Sequence, residues 1–221
     1  MTPIKTITKM RLEKTAENLR NNNMDAYVVK DSSEAVELVK SLITEGETIS
    51  CGGSESLKES GIMDLMKSGK YNFLDRSLGK TREEVEEIYR QTYFCDTYFS
   101  SSNAVTENGE LYNVDGNSNR VSAICYGPKS VIMICGYNKL VKNIDEAILR
   151  VKTVCAPANC VRLNSETYCA AKGECKSLVQ GGDMPSGCKS EDRVCCNYMV
   201  SAQQRQKGRI KVILVEEQLG Y

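Results

Sequence analysis

The chain has 221 residues, with 29 Lys plus Arg against 29 Asp plus Glu, 41% apolar residues and no histidine. That length buries a core without help from disulfides, and a formal net charge of zero exerts no long-range pull on nucleic acid or an anionic membrane. The missing histidine excludes a Ser-His-Asp triad, a Cys-His dyad and a histidine zinc site, leaving acid–base work to carboxylates, Lys, Tyr or Cys.

Residues 4–20 carry apolar positions at Ile4, Ile7, Met10, Leu12, Ala16 and Leu19 and read as a helix ended by Asn21-Asn22-Asn23. Ala26–Val29 is a short strand. Asp31, Ser32 or Ser33 caps a second helix with Ala35, Val36, Leu38, Val39 and Leu42 as its apolar set. Thr48–Cys51 is a buried strand running through Gly52-Gly53-Ser54 into a helix that begins near Glu55. Strands follow at 71–74, 98–100, 110–114 and 131–135, with a helix opened by Thr81 and another carrying Ile144, Ala147, Ile148, Val151 and Val154. Residues 209–215 return as a strand that rejoins the sheet. This alternation predicts an α/β fold, a mostly parallel sheet flanked by helices. The stretch 155–198 has little periodicity and is expected to be a Cys-rich excursion within a single domain spanning 1–221.

No apolar run approaches the roughly 20 residues needed to cross a bilayer. The N-terminal MTPIKTITKMRLEK lacks the apolar core of a secretory leader. The expected location is the cytoplasm, with no membrane and no nucleic-acid partner. Arg205, Lys207, Arg209 and Lys211 flank a strand without interleaved aromatics and read as a solvated face.

Two segments attract a functional reading. Gly52-Gly53-Ser54 between strand and helix offers backbone N–H groups to a phosphate or carboxylate; the plainer alternative is a tight connection with Ser54 as N-cap. The motif has neither the Lys of a Walker loop nor three dinucleotide-binding glycines. The second segment, SSSNAVTENGELYNVDGNSNR (100–120), holds two hairpin-type signals, Asn108-Gly109 and Asp115-Gly116. These explain its glycines but not the crowding of Asn103, Thr106, Glu107, Asn113, Asp115, Asn117, Asn119 and Arg120 between strands, where α/β folds build their sites. Glu107 is the candidate catalytic carboxylate and Arg120 the candidate anion clamp.

Of the 11 cysteines, seven fall between Cys155 and Cys196. Cys169, Cys175, Cys188 and Cys195 are spaced C-x5-C-x12-C-x6-C. Four thiolates without histidine suit a soft metal centre, and the wide spacing fits a [4Fe–4S] cluster better than a zinc ion, whose structural sites use short knuckles. Cys196 competes with Cys195 for the fourth place, and Cys155 and Cys160 are expected to pack.

Three blocks together, SCGGSESLKESG (50–61), SSNAVTENGELYNVDGNSNRVSAICYGPKSVIMICGYNKLV (101–141) and the Cys-containing end closing on KGRIKVILVEEQLGY, resemble the LUD-domain family of lactate utilization proteins. The resemblance covers nearly the whole chain. It implies a fold like that of glucosamine-phosphate deaminase, ribose-phosphate isomerase and the CoA-transferases, and a place beside iron–sulfur partners in lactate oxidation. The family's positions correspond to Gly52, Gly53 and Ser54, to Asn103, Thr106, Glu107, Gly109, Asp115, Gly116, Asn119 and Arg120, and to Lys139. Leu178 stands where members carrying this tail have their third cysteine, as though residues 177–187 were inserted and the ligand displaced to Cys188. Thr106–Gly109 also resembles the short glutamate motif of CoA-transferases.

Three functions follow. The first is a lactate-utilization-type protein with a Cys-ligated iron–sulfur cluster, acting in or beside 2-hydroxy-acid oxidation. The second is a CoA-transferase- or isomerase-like enzyme using Glu107 on an anionic small molecule. The third is an anion-binding module with a structural metal site. The expected partners are a small anionic metabolite and iron–sulfur redox proteins, with a homo-oligomer left open.

Overall fold

A computed structural model describes residues 2–221. Helix α1 (Pro3–Asn21) opens on Thr2, whose hydroxyl accepts from the Lys5 N–H at 3.3 Å, with Pro3 in the first turn, where its missing N–H is harmless. There follow β1 (Asp25–Val29), α2 (Ser32–Leu42, capped by Asp31), β2 (Thr48–Cys51), α3 (Glu55–Glu59), α4 (Ile62–Met66), β3 (Asn72–Leu74), α5 (Arg82–Gln91) and β4 (Thr97–Ser100). The middle of the chain forms β5 (Ala104–Thr106), β6 (Leu111–Asp115), α6 (Asn119–Cys125), β7 (Ser130–Gly136), β8 (Leu140–Val141) and α7 (Ile144–Arg150). A π-helical turn (Val151–Cys155) leads into α8 (Ala156–Arg162), then α9 (Tyr168–Lys172), α10 (Lys176–Val179), β9 (Asn197–Ser201) and β10 (Ile210–Val215).

Six strands form one all-parallel sheet in the order β1-β10-β7-β4-β2-β3. Its central strands are buried on both faces, which is why they read as unbroken apolar runs rather than alternating ones. Val131, Met133 and Cys135 of β7 face α1 and α6, while Ile132 and Ile134 face α2, α3 and α4. β10 divides the same way, Val212 and Leu214 on the first face and Ile213 and Val215 on the second. The strands expected at 26–29, 48–51, 71–74, 98–100, 131–135 and 209–215 all lie in this sheet.

The strand expected at 110–114 does not. It is β6 of a second, four-stranded sheet ordered β8-β5-β6-β9, antiparallel to both β5 and β9. Asn108-Gly109 makes the β5–β6 hairpin as its sequence predicts, with the Gly109 N–H donating to the Thr106 carbonyl at 2.9 Å. Asp115-Gly116 does not make a second hairpin; the chain turns through Ser118 into α6, and the Asp115 carboxylate accepts from the Arg120 and Val121 N–H groups at 3.1 and 3.2 Å. Acting as a helix cap satisfies its charge better than an open turn would. One face of this sheet (Val105, Leu111) packs toward α1 and the main sheet, and the other (Ala104, Tyr112, Val114) toward α7 and the π turn.

The hairpin tip rests on α1. Gly109 has φ +85°, and a Cβ there would lie 2.6 Å from the Asn18 carbonyl carbon. Gly109→Ala is therefore expected to lower the unfolding free energy by about 2–4 kcal/mol, from left-handed strain and overpacking together, as read by urea denaturation.

Candidate functional site

Beyond the carboxyl ends of β2, β4 and β7 the chain encloses a cavity of about 350 Å3, roofed by the second sheet, the π turn and α8. This is the crevice where open α/β sheets place ligands. Gly53, Ser54, Asn103, Asp115, Asn119, Arg120 and Lys139 all line it, so residues expected from three separate blocks meet at one place. Gly52 stands just behind the wall, where a Cβ would meet the Tyr98 hydroxyl at 2.9 Å and the Arg120 methylenes at 3.0 Å. That close approach, not a positive φ, is what requires glycine. Ser54 caps α3, its hydroxyl accepting from the Leu57 N–H at 3.3 Å.

Arg120 is more committed than an anion clamp would be. Its guanidinium donates to the Asn113 Oδ1 (2.7 Å), the Asn103 Oδ1 (2.8 Å), the Val114 carbonyl (2.7 Å) and the Ser101 carbonyl (3.3 Å). Its Nε lies 3.8 Å from the Asp115 carboxylate. With four of its five donors so bonded and Nε turned toward Asp115, Arg120 shapes the floor of the cavity and adds charge to it.

Two other arginines of the cavity went unrecognised in the sequence. Arg76, in the turn after β3, donates to the Tyr89 hydroxyl at 2.8 Å and lies over that ring at 5.7 Å. Arg162 on α8 donates to the Tyr221 hydroxyl at 2.8 Å and sits 3.8 Å from Glu55. Four cations (Arg76, Arg120, Lys139 and Arg162) thus face two carboxylate side chains, Glu55 and Asp115, each already ion-paired. A cleft lined by an excess of one charge raises the local concentration of the opposite one. Arg76 had one signal available, its place just beyond a sheet strand; Arg162 had none, because only the fold of α8 brings it here.

Glu107 and Thr106 lie outside this cavity. They sit at the opposite end of the β5–β6 hairpin, where Glu107 accepts from the Arg11 Nε at 2.6 Å and its carbonyl accepts from the Asn18 side chain at 2.7 Å. Thr106 is fully buried and pairs with Glu110 within the same turn. The Glu107 carboxylate is not among the groups that line the cavity.

The Cys-rich stretch folds over the far side of the π turn. Cys169, Cys175, Cys188 and Cys195 together line a small cavity of about 20 Å3, with Lys152, Tyr168 and Tyr198 among its other walls. Cys196 is exposed and not among them. Buried Cys160, expected only to pack, adjoins the cavity: burial, with the Cys169 and Cys195 sulfurs beside it, pushes its thiol up to about 12. All 11 cysteines are free. Among the described residues no three Cys, Asp or Glu side chains close around a single-ion point. Four sulfur donors line one cavity without a nitrogen ligand, the type of donor set that soft metal centres take.

A buried cation, Lys152, and a half-buried one, Arg193, pin this loop. The Lys152 ammonium donates to the Ser177 hydroxyl (2.6 Å), the Asp183 carbonyl (2.6 Å) and the Ser186 carbonyl (3.0 Å). Arg193 donates to the carbonyls of Cys195 (2.9 Å) and Pro185 (2.8 Å) and to the Tyr198 hydroxyl (3.0 Å). Lys152 spends its three bonds on the segment 177–187, and Arg193 ties Pro185 of that segment to Cys195 and Tyr198, so the segment is held rather than loose. Val151, Ala156 and Cys195 line both cavities, which share a wall.

The LUD domain model matches residues 12–215. The chain belongs to the LUD domain family. The fold is similar to that of a DUF162 family protein from Deinococcus radiodurans, at 12% identity and a TM-score of 0.53, covering 94% of this chain and 98% of that one. A malonate decarboxylase alpha subunit from Acinetobacter baumannii aligns at 13% identity with a TM-score of 0.36, over 64% of this chain and 34% of that one. No curated protein sequence matches. Among the described residues of this LUD protein no helix is long and apolar enough to cross a membrane.

Two outcomes are expected for the LUD fold's pins. Arg120→Lys retains charge but not the fan of bonds, and should cost roughly 2–4 kcal/mol in urea denaturation. Lys152→Met should raise tryptic cleavage between Lys172 and Lys189 about tenfold. That is the change expected for ~1.4 kcal/mol of lost loop closure when cleavage tracks the open population.

Proposed function

We propose that this LUD-domain protein binds a small carboxylate- or phosphate-bearing metabolite in the cationic cavity and a cysteine-ligated [4Fe–4S] cluster in the thiol-lined one. In this reading it acts in or beside lactate or related 2-hydroxy-acid oxidation, with iron–sulfur proteins as partners. The observation that carries the reading is the shared wall: Cys195 and Val151 belong to both cavities, so a redox centre and an anionic substrate would be neighbours.

Each set of residues has a part. Cys169, Cys175, Cys188 and Cys195 would hold the cluster, with Cys160 beside them. When bound, such a cluster supplies one-electron transfer. Arg76 and Arg162 bind and orient the anion through charge-assisted hydrogen bonds, while Arg120 fixes the loops that carry Asn103 and Asp115. The buried Val151 and Cys155 present apolar surface to one side of the cavity.

Protein purified anaerobically is expected to be brown, to absorb broadly in the visible, and to contain iron and acid-labile sulfide, both lost in Cys175→Ser. Colourless protein holding zinc alone would overturn the cluster. L-lactate, pyruvate or phosphate should raise the melting temperature. Arg76→Ala and Arg162→Ala should each weaken that ligand about tenfold, ~1.4 kcal/mol. No shift with any of the three anions would overturn the binding reading.

A further inference from the structure

Lys139 is built differently from the other cations of the anion cavity. β7 ends at Gly136, and a single helical turn, Tyr137–Lys139, sends the Lys139 side chain inward, where the residue is 4% exposed. Its ammonium lines the cavity and donates once, to the Tyr221 main-chain oxygen at 2.9 Å. An ammonium has three donors, and among the described residues no Asp or Glu side chain pairs with Lys139.

The groups facing it come from every side. Arg120 of α6 and Arg150 of α7 are close enough to repel it, and the sulfurs of Cys135 in β7 and Cys155 in the π turn adjoin it. Burial pushes the ammonium down from its ordinary range; the two guanidiniums act in the same sense and the two sulfurs against it. The Cys135 thiol is itself pushed up by burial, so it stays protonated and offers no counter-charge. Desolvation beside other cations is the environment that turns lysine from an ion-pair donor into a nucleophile.

We propose that Lys139 is a catalytic nucleophile that forms an imine with the carbonyl of a small 2-oxo carboxylate seated in the cavity. The inference rests on the anion-binding reading, because Arg76 and Arg162 are asked to hold the carboxylate while the carbonyl meets Nζ. The neutral amine adds its lone pair to the carbonyl carbon, and a proton passes from nitrogen to oxygen to give a carbinolamine. Loss of the hydroxyl as water, with one proton taken up from solvent, leaves a protonated imine, so one C=O, one amine and one proton become one C=NH+ and one water, with no oxidant or reductant consumed. The resulting cation at the former carbonyl carbon draws electrons from its neighbouring bonds, which is the use that amine catalysis makes of it.

The test is reductive trapping in the full chain at neutral pH. Protein is incubated with pyruvate and cyanoborohydride, which delivers hydride to an imine carbon, and then mapped by peptide mass. A covalent gain equal to pyruvate less one oxygen is expected on Lys139, in excess of any exposed lysine. It should be absent in Lys139→Arg and suppressed by excess L-lactate, which carries the carboxylate without the carbonyl. Should Lys139→Arg fail to fold by circular dichroism, lactate protection of the wild-type adduct supplies the same control. Adducts spread over surface lysines, with Lys139 unmodified, overturn the inference; if L-lactate still raises the melting temperature, the anion-binding reading survives that failure. An adduct on Lys139 that L-lactate neither suppresses nor is bound beside supports the nucleophile and removes the carboxylate site.

Discussion

The fold is organised around one half-buried guanidinium. Arg120 reaches from α6 to the Ser101 carbonyl beyond β4, to Asn103 before β5, and to Asn113 and Val114 on β6. Those acceptors run from the loop that leaves β4 of the parallel sheet to β6 of the smaller mixed one, so hydrogen bonds to a single side chain tie the two sheets together at this end. Its methylenes also back onto Gly52, which ties in the loop after β2. A cation taken largely out of water is stable only when its counter-charge and acceptors are all in place. Here Asp115 supplies the charge and also caps α6, the helix that carries Arg120. Removing either partner would strand the other, and the crevice between the sheets would lose its floor.

The parallel sheet was legible because burial on both faces writes continuous apolar segments such as Val131–Cys135 and Ile210–Val215 into the chain. The second sheet was not. β8 is two residues long, and β9, Asn-Tyr-Met-Val-Ser, carries no clean alternation. β9 also finds its partner β6 far away in sequence, Asn197 opposite Asp115. Such strands exist because a neighbour's edge is there to complete, and local pattern holds no trace of that.

The site follows the same division. Ser54, Asn103, Asp115, Asn119, Arg120 and Lys139 were readable because each stands at or just past a strand end of an α/β alternation. Glu107 stood in the same polar block and was assigned with them, yet a β-strand advances about 3.3 Å per residue. Four residues along β5 therefore carry the chain roughly 13 Å from Asn103, and the Asn-Gly hairpin then brings it back with Asn113 and Asp115 at the cavity end. The tip that carries Glu107 is spent on α1 instead. Arg76 and Arg162 illustrate the converse: isolated arginines with no motif around them, made neighbours only by topology.

The cysteines were legible as a group and not as a geometry. What converts a stretch of weak periodicity into a defined wall is the π turn and the lysine within it. Val151 and Cys155 face the anion cavity while Lys152, between them, turns the other way to hold Ser177, Asp183 and Ser186. A π turn widens the helix and is kept where something gains from the altered phase. Here the gain is that one helical segment serves two cavities. The Cys155 thiol contributes by donating to the Asn103 carbonyl at 3.5 Å, joining the turn to the loop that Arg120 organises. The thiol-lined cavity is therefore held against the same framework as the anion cavity, and Cys195 occupies a fixed place in the wall between them because Arg193 and Tyr198 both donate to its carbonyl.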